Sequence, residues 1–202
     1  MSIEIDLVKA YFESNGFLVR QAGTHPQETG KKKVVPLPTI AIFNPNRSDN
    51  GIDLSFRMFT GDLVGVKSAL VSLLGWSNSC FTNDCLTSDA RLMKFFKGEA
   101  SAEQLNLNFN PSPVLAESGM GDFLRILVIP HFPRHEQKAK LLTESLEEAG
   151  VDGVLTLRSI FENLLRQATP ARAFINQDIF HILKLLKAYD LVKEPQLDMF
   201  EE

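Results

Sequence analysis

The sequence predicts an α/β domain: a mixed central sheet flanked by helices. Three observations predict it. Apolar patterning runs in the order helix, three strands, a helical region, strand, helix, strand, helix and a final helix. The segment "FLRILVIP" at 123–130 is an almost continuous apolar run, the pattern of a central strand covered on both faces. A strand–helix–strand unit across 123–157 requires a parallel pair joined by a right-handed crossover.

Each element has a local reason. Leu7, Val8, Tyr11 and Phe12 recur at helical spacing in residues 3–14, and Gly16 follows as a left-handed C′ residue. "FLVRQA" alternates as a strand, and "KKKVVPLPTIAIF" forms a second, with Pro36 and Pro38 confining its start to an edge or bend. "NPNRSDNG" is the strongest turn signal. "IDLSFRMF" then alternates Ile52, Leu54, Phe56 and Met58 against polar neighbours and reads as a third strand. Asp62 is placed to cap a helix through "LVGVKSALVSLLG", although "ALVSLL" reads equally as a buried strand. A loop, "WSNSCFTND", precedes a helix over 88–97 closed by Gly98, and Ser101 with Gln104 marks a short capped helix. "NFNPSPVLAESGMGD" is irregular. Beyond the central strand, "RHEQKAKLLTESLEEAG" is an amphipathic helix ending at Gly150 and "GVLTL" a second buried strand. "SIFENLLRQA" opens with Ser159 and Glu162 as a capping box. Asn176 caps a final helix whose buried face is Ile179, Ile182, Leu183 and Leu186. The expected organisation is one domain over 1–190 and a tail over 191–202.

Composition narrows the function classes. With 44% hydrophobic and 23% charged residues among 202, the chain can bury a proper core. No apolar run suffices to span a bilayer, so no membrane partner is expected. Acidic residues stand at the N-terminus where a secretory signal is basic, which predicts a cytoplasmic protein with Cys80 and Cys85 reduced. A net charge of −4 argues against strong non-specific nucleic-acid binding. The basic run Lys31–Lys33 reads as a solvated hairpin loop, leaving room for weak DNA binding at most.

Several constellations carry little chemistry. His131 and His135 have zinc-like spacing, but Pro130 and Pro133 break any helix that would put both rings on one face. No metal site is expected from them. Gly119-x-Gly121 precedes a strand, whereas a phosphate loop follows one, and Asp62 beside Gly61 would repel an anion. The two cysteines lack an activating base nearby in sequence, and no nucleophile elbow is present.

The element order, with "GFLV" after the first helix and "AGVDGVLTLRSIFENLL" near the end, resembles the PD-(D/E)xK superfamily, the restriction-endonuclease-like fold. The resemblance implies an acidic residue on the second strand and a carboxylate-x-lysine on the third. Paired carboxylates hold a hard divalent cation that activates water, and the lysine aids the nucleophile. In this chain Thr39 follows Pro38 where the acid would stand. The third-strand motif falls on Asp53-x-Ser55 or Ser55-x-Arg57 if that strand is "IDLSFRMF", and on Ser72-Leu73-Leu74 if it is "LVSLLGW". Neither register yields a carboxylate-x-lysine. Glu13, on the first helix, matches an accessory acid of some members. The expectation is a nuclease-like scaffold without nuclease chemistry and with no cofactor. The enzyme alternative is a divergent Mg- or Mn-dependent nuclease using Glu13, Asp53 and a migrated lysine such as Lys67.

The tail supplies a partner. Gln196, Leu197, Asp198, Met199 and Phe200 resemble the bacterial sliding-clamp-binding peptide, whose usual pattern is Gln-Leu-Ser/Asp-Leu-Phe. Glutamine fixes orientation by hydrogen bonding, and the apolar residues fill adjoining pockets on the clamp. The resemblance implies attachment to bacterial replication or repair machinery. The competing readings are that Leu197 and Phe200 pack against their own domain, and that the chain is a purely structural or interaction domain.

Overall fold

Three of the helices end in the same way, and these ends set the chain's turns. In the first, Phe17 N–H donates to Phe12 C=O and Gly16 N–H to Glu13 C=O, with Gly16 at φ 88°. The Phe12 and Phe17 rings meet edge to face at 5.6 Å, the apolar contact of a Schellman motif. The same pair of bonds recurs at Gly150, where Val151 N–H reaches Leu146 C=O, and at Asp190, where Leu191 N–H reaches Leu186 C=O.

The computed structural model describes residues 3–22, 37–51, 54–110, 123–169 and 177–192. Helix α1 (Ile3–Ser14) leads to strands β1 (Leu18–Gln21) and β2 (Thr39–Phe43), a 3-10 helix (Thr60–Gly65) and β3 (Ser68–Leu73). Helices α2 (Asn83–Thr87), α3 (Asp89–Glu99) and α4 (Ala102–Asn108) follow. Then come β4 (Leu124–Ile129), α5 (Glu136–Glu148), β5 (Gly153–Thr156), α6 (Leu157–Gln167) and α7 (Gln177–Ala188). The strands lie side by side in chain order, with β1, β2 and β3 antiparallel in turn and β3, β4 and β5 parallel. This is the mixed α/β sheet that the sequence predicts.

Alternation along β3 divides the core into two layers. Ala69, Val71 and Leu73 face one layer with Val8, Phe12, Ile160, Leu164 and Phe180 from α1, α6 and α7. Leu70 and Leu74 face the other with Phe95, Phe96, Leu105, Leu142 and Leu146 from α3, α4 and α5. Every residue of β3 is buried, as a central strand requires.

Five local expectations are corrected. The third strand is "SALVSL", not "IDLSFRMF": residues 54–58 make only a bridge from Arg57 to Val154. The hydrogen bonds of Phe56 and Met58 go to Val154, so this segment borders β5 instead of joining β2. Burial on both faces outweighs the period-2 alternation that favours the earlier segment. Asp62 caps no long helix; its carboxylate accepts from Phe59 N–H at 2.7 Å over a 3-10 helix ending at Gly65. The N-cap of α6 is Thr156, whose Oγ1 accepts from Ser159 N–H at 3.1 Å, three residues before the expected helix. On α7 Phe180 is buried where Ile182 was expected, and Ile182 faces outward. Gly98 lies inside α3, which closes at Ala100. The expectations for Lys31–Lys33, Pro36, Asp53, Gly119, Gly121, Asn176 and Gln196–Phe200 lie outside the described residues.

Candidate functional site at the carboxyl end of the central strand

The antiparallel register of β2 and β3 sets Thr39 opposite Ser72. Their hydroxyls lie 2.8 Å apart, and Thr39 Oγ1 also donates to Leu37 C=O at 3.1 Å. Because that carbonyl can only accept, Thr39's proton is committed to it and Ser72 supplies the proton between the hydroxyls. Leu37 N–H donates to Asn108 Oδ1 at 2.9 Å, which ties the end of α4 to the same point. Exposure is 4% at Thr39, 0% at Ser72 and 1% at Asn108. Asn108 Nδ2 is buried without a hydrogen-bond partner among the described residues.

These are the positions at which the nuclease resemblance implies two carboxylates, with Leu74 in the lysine's place. The donor set does not fit a divalent cation. Two neutral hydroxyls supply no negative charge, their protons are engaged in the β2–β3 staple, and neither reaches water. What the arrangement does chemically is join two strands and one helix end through buried polar groups, the two hydroxyls and Asn108 Oδ1 being hydrogen-bonded while Asn108 Nδ2 is not.

One acidic residue does reach this end of the sheet, and it is not among those read from the sequence. Glu4, in the first turn of α1, is 4% exposed. Its Oε1 accepts from Trp76 N–H at 2.9 Å, and its Oε2 accepts from the Ser77 hydroxyl. A Cβ on Gly75 would stand 3.2 Å from Glu4 Oε1 and 3.3 Å from Pro130 Cγ, so glycine permits the approach. The signal was present in "IEIDLVKAY": Glu4, Val8 and Tyr11 share one helical stripe, which commits Glu4 to the buried face. Both carboxylate oxygens hold the loop after β3.

The other acids and bases are distributed. Glu13 stands nine residues beyond Glu4, about 13 Å along the helix axis. Burial raises its carboxyl above the ordinary range, with Lys9 pulling the other way. Lys67 precedes β3 at the opposite end from Ser72, about 17 Å along the strand. Its backbone N–H bonds to Asn50 Oδ1 and its carbonyl to Asn44 N–H. Neither Glu13 nor Lys67 is brought to the hydroxyl pair.

Around the mouth of β4, His131 Nδ1 donates to Phe132 C=O at 2.7 Å, and the Arg57 guanidinium lies 4.4 Å over the Phe132 ring. Asp89, at the start of α3, accepts from the backbone N–H groups of Arg134 and His135 at 3.0 and 2.9 Å. Those two donors hold its carboxyl below the ordinary aspartate range. His135 is the N-cap residue of α5, so Asp89 fixes where that helix begins. Cys80 is exposed and Cys85 buried. Among the described residues no three His, Cys, Asp or Glu side chains are grouped to hold a metal, and no helix is long and apolar enough to cross a membrane. Comparison with known proteins finds no matching family model, curated protein or solved structure.

Proposed function

We propose that this chain is a restriction-endonuclease-like binding module without metal-dependent nuclease chemistry, tethered to bacterial replication or repair machinery through Gln196–Phe200. The observation that carries the reading is the buried Thr39–Ser72 hydroxyl pair, where hydrolysis would need a pair of carboxylates. The order of elements around the pair supports it: a helix, an antiparallel run of three strands, helices and a parallel fourth strand. Support for the tether comes from the tail's own residues, in which Met199 replaces the usual leucine at nearly equal volume. The test titrates a peptide of residues 190–202 against a bacterial sliding clamp. Saturable binding that disappears on changing Leu197 and Phe200 to Ala is expected. Absence of binding, or binding indifferent to those changes, removes the tether.

A further inference from the structure

Helices α3 and α5 are pinned together where they begin. Asp89, the first residue of α3, accepts from the N–H groups of Arg134 and His135 just before α5. Both helices run in the same direction from there, and their later turns wall a groove of about 600 Å³. That room lies within the range of about 300–1,000 Å³ that small-molecule sites occupy. Short side chains leave the space: Ala100 closes the α3 wall, and Ser145 and Ala149, four residues apart, lie one above the other on α5. Buried Phe96, Leu142 and Leu146 make the floor apolar.

The polar groups at the rim select the occupant. Lys97 stands on the α3 wall and Glu148 on the α5 wall. Both are exposed, and among the described residues neither forms an ion pair. Ser101 accepts from Gln104 N–H at 3.3 Å, which leaves its hydroxyl proton to donate. An anionic amphiphile would satisfy Lys97 but meet like charge at Glu148, and a cationic one would do the reverse. A neutral apolar ligand would leave both charges unanswered. A zwitterion answers all three groups: its carboxylate takes Lys97 and the Ser101 hydroxyl, and its ammonium takes Glu148. The ends of an extended dipeptide lie about 7 Å apart, against about 8–10 Å between packed helix axes, so one molecule laid across the groove meets a side chain from each wall.

We propose that the groove between α3 and α5 binds a small zwitterion with apolar side chains, of dipeptide size, its carboxylate at Lys97 and its ammonium at Glu148. The groove shares no residue with the Thr39–Ser72 pair or with the tail, so it stands apart from the clamp reading.

The test is calorimetric titration of the full chain with the dipeptide leucyl-phenylalanine, free, N-acetylated, C-amidated and blocked at both ends. Expected is saturable binding of the free form, weakened about threefold by blocking either end. Lys97→Gln should bind the free acid and the amide alike, and Glu148→Gln the free amine and the acetylated form alike, because each variant removes the partner of the blocked end. Ser145→Trp, which fills the groove, should abolish binding. Lys97 and Glu148 are exposed, so their variants keep the fold whatever happens to Ser145→Trp. No saturable binding of any form overturns the proposal. Equal binding of free and blocked forms overturns it as well, since the rim charges then select nothing. Tighter binding of the acetylated form assigns the groove to an anion, and binding that survives in folded Ser145→Trp places the ligand elsewhere; either result overturns the zwitterion site.

Discussion

Replacing Thr39 by valine keeps the side-chain shape and removes one hydroxyl from a buried chain of three groups, Ser72 to Thr39 to Leu37 C=O. Ser72 is then left fully buried with a proton and no acceptor. Losing the bonds and stranding a buried donor together cost about 2–3 kcal/mol. Replacing Ser72 by alanine is milder. Thr39 still donates to Leu37 C=O, so the loss is one net hydrogen bond, about 1 kcal/mol. In the double variant no hydroxyl is stranded, and the combined cost falls short of the sum by about 1 kcal/mol. Urea unfolding followed by far-ultraviolet circular dichroism, with unchanged denaturant slopes, measures all four corners of the cycle. In thermal melts each kcal/mol corresponds to about 2–4 °C for a chain of this size. Strictly additive costs, or single costs under about 0.5 kcal/mol, would mean that water reaches both hydroxyls. The staple would then be an open polar site, and the case against a bound cation would fail with it.

Three further outcomes follow from the geometry. Glu4→Gln keeps the volume but replaces a carboxylate that accepts from Trp76 N–H and Ser77; a loss of about 1–3 kcal/mol in the same denaturation assay is expected. Tyr11 donates or accepts at Thr60 Oγ1 at 3.1 Å, and burial pushes its phenol up to about 12 from 10.0. The folded state thus disfavours the phenolate. This contribution is complete below the unfolded value and is lost as pH rises from about 10 to about 12, a decline that Tyr11→Phe should flatten. Asp89 has the opposite sign: its folded pKa is depressed, chiefly by Arg134 N–H and then His135 N–H. Its contribution is present above the ordinary aspartate range and fades as pH falls through the folded value. The stability gap between wild type and Asp89→Asn should therefore close in acid melts.

Patterning made the framework legible. Long apolar runs identify β4 and β5, and Gly16 and Gly150 mark helix ends because a left-handed residue favours glycine there. The third strand was harder. Residues 54–58 alternate like a strand, yet their partner is β5's outer edge, and pairing is decided by distant contacts that a local window does not contain. Thr156 was missed as a cap because it sits inside the apolar strand pattern, while Ser159 begins a more obvious capping sequence. The site followed the same division. Thr39 and Ser72 were named as the residues standing where carboxylates were sought, but their contact depends on register. Glu4 is less legible because the loop that its carboxylate holds lies 72 residues away in sequence, and only the helical stripe marks it as buried.

The most direct measurement is a calorimetric titration of the full chain with Mn2+, run beside a cleavage assay on single- and double-stranded DNA. No saturable heat and intact DNA are expected, because Thr39 and Ser72 offer a cation two engaged hydroxyls. Saturable binding that Thr39→Val and Ser72→Ala abolish, with DNA cut in its presence, would contradict it.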